Sequence, residues 1–552
     1  MKKKAYLVLC FLLAVCMVLT TGCSTGTAVP STGGNISEPT ATPEQGAPTE
    51  QSKLKTFIIA VDPDYETFDP GRAYEVYADL ALHSCYNTLL MYKGGDTTTL
   101  VMDGAESYKI SDDSLTYTFQ LLPGQHFSSG REVTAADYQW SIERGRNLKG
   151  NAAFMTDNLD AVTTDGKYTL IIKLTNPDGA FLTKLTYGLF AAIDKDVAEA
   201  NGATGDANAA KTDTSKEWFN NHSVGSGPYM IDSFIPTTGF TMVRNPYYSG
   251  TPPYYDKIIV KVVTDVSSQL MMVKANDVDI SMNVDPSQAI SLEGAAGIEV
   301  HHSLTASTAF IIMNRSTKYG PVSDPLVQQA VRYALDYKGI LTLASKGTKV
   351  PVGPFPEGFA GSLPGYDDPA SLRDLDKARS LMAKAGYADG FTVDFIVPTW
   401  NILGVDYVTL AQKIQADLAE VGITVKIVAQ DPSVAQETYR NGQQPMGLRM
   451  WGPDYPDNSS QLAFLPGYNV GKRANWTEEM NSKLAAKGHQ AEVLSDEKAR
   501  NVLFNEIANE MQADSPFVFL MQFATTYVTR AGTTGADYSN RYVIDLRTVA
   551  GK

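Results

Sequence analysis

MGLRMWGPDYPDNSS, residues 446–460, is the stretch on which the reading of the fold turns. Met446 to Trp451 is an apolar-leaning run suited to a strand, and Gly452, Pro453 and Pro456 then stop regular pairing, so the chain must turn there. The residues before it follow a related grammar. Phe391 to Val397 alternates as a strand. Tyr407 to Val421 puts Leu410, Ile414, Leu418 and Val421 on one helical face, Gly422 ends it, and Ile423 to Val428 returns as a strand. This βαβ-like rhythm predicts an α/β sheet whose strand ends open on one edge, where ligands bind in open α/β sheets. Asp454 lies just past such an edge, with Asp457 in the same loop and Trp451 and Tyr455 as aromatic walls. A carboxylate held that way suits a cation brought out of water. The α-amino group of a peptide is one, since its pKa of about 7.7 to 8.0 leaves it largely protonated at neutral pH. The alternative is an Asx-turn aspartate in a Pro-rich surface loop.

Further out, Lys55 to Val61 reads as a first strand, followed by the loop Asp62 to Gly71. Tyr74 to Leu90 has helical spacing, with Cys85 inside it as a buried, inert thiol. Leu115 to Leu122 and Tyr168 to Leu174 are strands, and Thr134 with Asp137 forms a variant capping box that opens a helix through Trp140. The Ala/Asn/Asp/Thr-rich region from Glu199 to Lys216 reads as a surface insertion. Gly225 to Tyr229 (GSGPY) introduces a hairpin, and its glycines mark a tight backbone crossing. They are not a nucleophile turn, because the Gly-x-Ser-x-Gly spacing is missing. Lys257 to Val263 and Ala309 to Met313 are strands. Asp324-Pro325 starts a helix through Tyr337, Leu372 to Ala385 is another, Glu478 to Met511 is helical, and Phe517 to Phe523 is a strand returning to an earlier sheet.

The 552 residues are enough for several packing units, and 43% hydrophobic content supplies their cores. With 46 basic against 61 acidic residues the net charge is −15, which argues against nucleic acid as a partner. Met1 to Cys23 reads as a secretory signal: three lysines, an apolar run from Ala5 to Leu19 shorter than the ~20 residues a spanning helix needs, then small residues before Cys23. Of the 4 cysteines, Cys10 and Cys16 leave with that segment and Cys23 is expected to carry lipid, so only Cys85 remains in the folded part and no disulfide is expected. Residues 24–53 form a Ser/Thr/Pro/Gly tether with a reach of roughly 30 Å.

Thr20 to Cys23 resembles the lipobox of bacterial lipoproteins, with Thr20 where leucine is usual, which implies lipidation of Cys23 and a cell-membrane anchor. From Leu54 onward the chain resembles the solute-binding proteins of ABC importers for oligopeptides and dipeptides. The stretches that carry the likeness are TFDP (Thr67 to Pro70), SDDSLTYTFQL (Ser111 to Leu121), FSSGREVTAADY (Phe127 to Tyr138), GSGPY, RNPYY (Arg244 to Tyr248), VQQAVRYALD (Val327 to Asp336) and WGPDYPD (Trp451 to Asp457). The resemblance implies a two-lobed clam of the type II, peptide-binding class with an additional α+β domain. Lobe one would be 54–92, 219–302 and 516–552, the additional domain 93–218, and lobe two 303–515. It also implies that Asp454 takes the ligand's amino group and that Asp64, Tyr65 and Glu66 pair with its backbone. Trp400 would line a side-chain pocket, and Asn314, following the strand that borders the cleft, would be a ligand-binding residue. Arg449 shares strand parity with Trp451 and is a candidate for the ligand's carboxylate, with a solvated arginine as the alternative.

The expectation is a monomeric, extracytoplasmic, non-enzymatic peptide binder that serves ABC permease subunits with cytoplasmic ATPases, without metal or cofactor. The runner-up is the same fold holding an oligosaccharide against Trp400, Trp451, Tyr65 and Tyr455. An exported hydrolase would need a nucleophile and base motif, and none occurs. A tethered lipoprotein for sensing or adhesion would differ in not depending on a permease.

Overall fold

The computed structural model describes residues 54–63 and 65–551. The signal segment, Cys23, the tether and Asp64 lie outside the described residues.

Ten strands share one sheet. In spatial order they are Ile423–Gln430, Phe391–Pro398, Met446–Trp451, Ile298–Met313, Phe517–Arg530, Ile280–Ser281, Thr56–Val61, Lys257–Val262, Gly239–Arg244 and Tyr229–Ile235. Ile298–Met313 and Phe517–Arg530 pair antiparallel at the centre and run from one half to the other, and their register shifts between Leu304 and Thr308. On one side Phe391–Pro398 is parallel to both Ile423–Gln430 and Met446–Trp451. On the other, Thr56–Val61 is parallel to Lys257–Val262. Each half is buried on both faces, and strand alternation sorts the side chains. Ala309, Ile311 and Met313 enter one core while Phe310 and Ile312 enter another. Phe57, Ile59 and Val61 face a third core, and Ala60 a fourth.

The local rules that form these elements are legible residue by residue. Asp406 caps Tyr407–Ala419 by accepting from Thr409 N at 2.7 Å, and Leu410, Ile414 and Leu418 are buried on its inner face. Gly422 supplies the left-handed turn that follows, at φ +84°. Asp324 caps Pro325–Ala334, with proline in the first turn. A separate antiparallel sheet of Ala105–Ile110, Thr116–Leu121, Thr169–Leu174 and Leu159–Asp165 packs against the helix Ala135–Leu148 around Phe119, Ile142 and Ile172. Thr134 and Asp137 form the capping box of that helix, which runs two turns beyond Trp140. The glycines of GSGPY make the expected close crossing, over the end of Asp79–Cys85. A side chain on Gly225 would sit 2.2 Å from Cys85 O, and Gly227 N donates to the same carbonyl at 3.0 Å. Cys85 itself is buried, and burial pushes its thiol up to about 12.

One sequence expectation is corrected here. The region read as a surface insertion contains the short helix Ala209–Thr212, leads into the helix Lys216–Asn221, and brings Asp213 and Ser215 into a buried ion cluster with Asp69 and Arg144.

Candidate functional site

The strand Met446–Trp451 ends where glycine and proline remove its next ladder partners, and the loop after it is tied down by side chains. Ser460 Oγ accepts from Asp454 N at 3.0 Å, while Asp457 accepts from Ser459 N and pairs with buried Arg500 at 2.7 Å. Asp457 is therefore a fastening of the loop, and Asp454 is the carboxylate left to face outward.

Asp454 is half-buried and lines a cavity of about 280 Å³ together with Tyr455, Tyr74, Tyr187, Asn540 and Arg541. Its Oδ1 accepts from the Tyr74 hydroxyl at 2.7 Å, and its backbone carbonyl accepts from the Tyr187 hydroxyl. Burial, reinforced by the Asp454 carboxylate, pushes the Tyr74 phenol far above its usual range, so it stays a proton donor. Burial does the same to Tyr187, whose ring is stacked on the Arg541 guanidinium 3.5 Å from the ring centroid. Arg541 is in turn paired with Asp79. A second cavity of about 570 Å³ adjoins the first, with Val76, Thr305, Ser307 and Tyr538 lining both. Thr305 and Ser307 lie in the segment where the central strands shift register, so the two cavities open at the crossover between the halves.

The other predicted residues fall in several places. Tyr455 lines the first cavity, with Lys184 over its ring at 5.2 Å. Trp451 turns inward, edge-on to Phe464 at 5.8 Å, and Trp400 packs edge-on to Tyr407 at 5.6 Å; neither lines the two cavities. Tyr65 is set among Phe68, Phe234 and Phe240, with its hydroxyl buried. Glu66 is exposed and paired with Lys216, which holds its carboxyl below the usual value.

Asn314 does not border the cleft. It is 0% exposed, donates to Gly442 O and Gln444 O at 3.1 and 3.0 Å, and accepts from Ser316 N and Asn475 Nδ2, each at 3.0 Å. A side-chain amide satisfied on every side is a clamp between chain segments. Asn314→Ala is therefore expected to cost about 1 to 3 kcal/mol of stability and to leave ligand affinity unchanged, read by urea unfolding beside calorimetry. A tenfold loss of affinity at unchanged stability would return Asn314 to the cleft.

Arg449 is likewise neither solvated nor placed to meet a carboxylate. It is 1% exposed and lines neither cavity, and its guanidinium donates to the carbonyls of Ile396, Leu448 and Ala435. Burial lowers its pKa to about 10.

Sequence reasoning missed Tyr74 and Tyr187. They lie 380 and 267 residues from Asp454, and nothing local in either stretch marks it as a partner of that loop. Only the fold brings them together.

Residues 99–471 match the family model described as bacterial extracellular solute-binding proteins, family 5 Middle. The chain belongs to this family. Its relatives agree along nearly their whole length. The Di/tripeptide-binding protein 2 of Pseudomonas aeruginosa is 24% identical over 498 residues, covering 85% of this chain and 90% of the relative. The Glutathione-binding protein GsiB of Salmonella paratyphi A is 26% identical over 494 residues, covering 85% and 89%. Among solved structures, HbpA2 from Haemophilus parasuis superposes with a TM-score of 0.79 at 21% identity, over 90% of this chain and 100% of the other. The periplasmic binding protein DppA from Helicobacter pylori, in complex with the peptide STSA, gives 0.69 at 22% identity over 91% and 99%. The fold of this family 5 protein is thus the two-lobed, type II clam, and its role is to bind a solute for an ABC transporter rather than to catalyse. Among the described residues no helix is long and apolar enough to cross a membrane.

Proposed function

We propose that this family 5 protein captures peptides by their protonated amino end at Asp454 and delivers them to an ABC permease with cytoplasmic ATPases, working as a monomer held at the membrane by lipid on Cys23. The observation that carries the reading is the setting of Asp454. It is a half-buried carboxylate at the end of a strand, on a cavity wall, with its loop fastened by Ser460 and its Oδ1 already accepting a hydroxyl donor from the facing side. An ammonium group entering there finds an oriented acceptor and phenolic walls, and charge-assisted bonds of this kind are among the stronger ones. The names of its relatives support peptides as the ligand class. Closure of two halves about the Leu304–Thr308 crossover would enclose the ligand.

The oligosaccharide reading loses part of its support, because Trp400 and Trp451 do not line the two cavities, while Tyr455 lines the smaller one. Native mass spectrometry of the purified protein tests the choice. A ladder of peptide masses on the folded chain is the expected result, and a discrete sugar mass would overturn it.

A further inference from the structure

The two cavities are unequal in charge. The smaller one has two carboxylates, Asp454 and Asp79, and one guanidinium, Arg541, on its walls. Arg541 is fully engaged. It pairs with Asp79, its Nε donates to Thr186 Oγ1 at 3.2 Å, another nitrogen donates to Thr186 O at 3.0 Å, and Tyr187 covers its face. Among the described residues the larger cavity has a single charged one, Asp285, the cap of Pro286–Ile290. Its remaining walls are mixed: Val76, Met282, Val284, Ile402 and Leu403 form an apolar side, and neutral Asn283, Asn401, Thr525 and Thr526 stand beside them.

Leu403 is there against its backbone preference. It sits at φ +49° at the tip of the hairpin that pairs Asn401–Ile402 with Val405–Asp406, a conformation uncommon for a bulky residue. Such strain persists where the surroundings impose it. Here Ser345 donates to the Leu403 carbonyl at 3.3 Å, and a Cβ on Gly404 would stand 2.9 Å from Pro286, so the tip is wedged between segments and presents leucine, 38% exposed, at the cavity rim.

Lys184, over the Tyr455 ring, is paired with Asp178 at 2.7 Å, and two further basic groups line a third cavity of about 340 Å³, which shares Asp285, Pro286, Ser345 and Gly404 with the second. They are His302 and Lys346, and both lean on Glu293. The Lys346 side chain is 68% exposed, so solvent screens what charge Glu293 leaves.

A ligand held by its amine at Asp454 therefore meets an uncharged, partly apolar wall next, and among the described residues that line these cavities it finds no unengaged cation for a nearby carboxylate. Resting on the amine reading above, we propose that the substrate class is peptides with a free amino end and an apolar side chain beside it whose carboxylate is either masked or carried beyond the two cavities, and that short anionic peptides are disfavoured. With Asp79 paired to Arg541 and Asp454 taken by the ammonium, a carboxylate confined here loses hydration with no counter-charge to offset it, and Asp285 on the larger cavity adds repulsion.

Titration calorimetry on the full chain tests this with Ala-Leu-Ala as free acid and as C-terminal amide, Ala-Leu-Ala-Ala-Ala in the same two forms, the N-acetylated tripeptide amide, and glutathione. The tripeptide amide is expected to bind at least about threefold tighter than its acid, the gap is expected to close in the pentapeptide, and glutathione is expected to bind at least about tenfold more weakly than the tripeptide amide. A tripeptide acid that binds as tightly as its amide or tighter, or glutathione binding as well as the amide, would overturn the proposal while leaving the amine anchor standing. Equal affinity of acetylated and free amides, or no binding by any of these peptides, would instead strike the amine anchor, and the charge inference would fall with it.

Discussion

Asp454→Ala is expected to weaken binding of a free-amine peptide by roughly 10- to 150-fold, the range that corresponds to the ~1.5 to 3 kcal/mol of a hydrogen bond to a charged group. The same change is expected to leave the fold intact, because the loop that carries Asp454 is held by other residues. Ser460 receives the Asp454 N–H, and Asp457 anchors the segment through Arg500. What the variant loses is the acceptor for Tyr74, whose hydroxyl stands at the open cavity and finds water. Asp454→Asn keeps the shape and an acceptor oxygen but removes the charge, so it should fall between the wild type and alanine. A double cycle separates the charge from packing: N-acetylated peptide should bind wild type weakly and lose little more in Asp454→Ala, because the partner of the carboxylate is already gone. If calorimetry finds acetylated and free peptides bound equally by the wild type, Asp454 has no part in capture.

The sequence pointed to the loop at 446–460 because its signals are local. A strand, two prolines and a carboxylate between aromatic residues can be read within fifteen positions. The strands Phe391–Pro398, Ile423–Gln430 and Met446–Trp451 and the helix Tyr407–Ala419 were legible for the same reason: period two, period 3.6 and a glycine stop are properties of consecutive residues. Asn314 and Arg449 show where this ends. Both follow or lie in buried strands, and their sequence neighbourhoods do not reveal whether a polar side chain meets a cavity or the carbonyls of a neighbouring strand. Asn314 meets Gly442 and Gln444, more than a hundred residues away, and Arg449 meets Ile396. Trp400 and Trp451 were ambiguous in the same way, since an indole beside a cleft can face it or pack beneath it. The long central strands were seen only in part. The register shift between Leu304 and Thr308 interrupts the alternation by which the rest of Ile298–Met313 would be recognised.

The Asp213 cluster is the sharper case, because composition pointed the wrong way and the consequence is large. A stretch rich in Ala, Asn and Thr looks solvated, yet Arg144, 0% exposed, donates to both oxygens of Asp69 at 2.7 Å, to Asp213 at 2.8 Å and to Ser215 at 3.0 Å. The helix Ala135–Leu148 is thereby bolted to the TFDP turn and to the 199–216 segment at once. Arg144→Met is expected to destabilise the protein by about 3 to 5 kcal/mol in urea unfolding, the cost of leaving buried carboxylates without their partner. Arg72, in contact with both aspartates, keeps the loss toward the lower end. Ligand affinity should not move, because none of these residues lines the cavities.

The pH dependence gives a second readout. Burial alone would raise the Asp213 carboxyl, but Arg144 outweighs it and holds the pKa at about 2. A group depressed in the folded state contributes stability that is fully present above its unfolded value of about 3.9 and is lost as pH falls through its folded one. Without Arg144 burial raises the stranded carboxyl, so it takes up its proton at higher pH in the folded variant than in the wild type, and the gap between wild type and Arg144→Met should narrow as pH falls, starting above pH 4 and continuing toward about pH 2. Replacing Asp69 and Asp213 by asparagine in the Arg144→Met background should recover much of the loss, since the uncompensated charges are then gone. If that triple variant is no more stable than Arg144→Met, the penalty comes from lost packing around the arginine stem and not from stranded carboxylates.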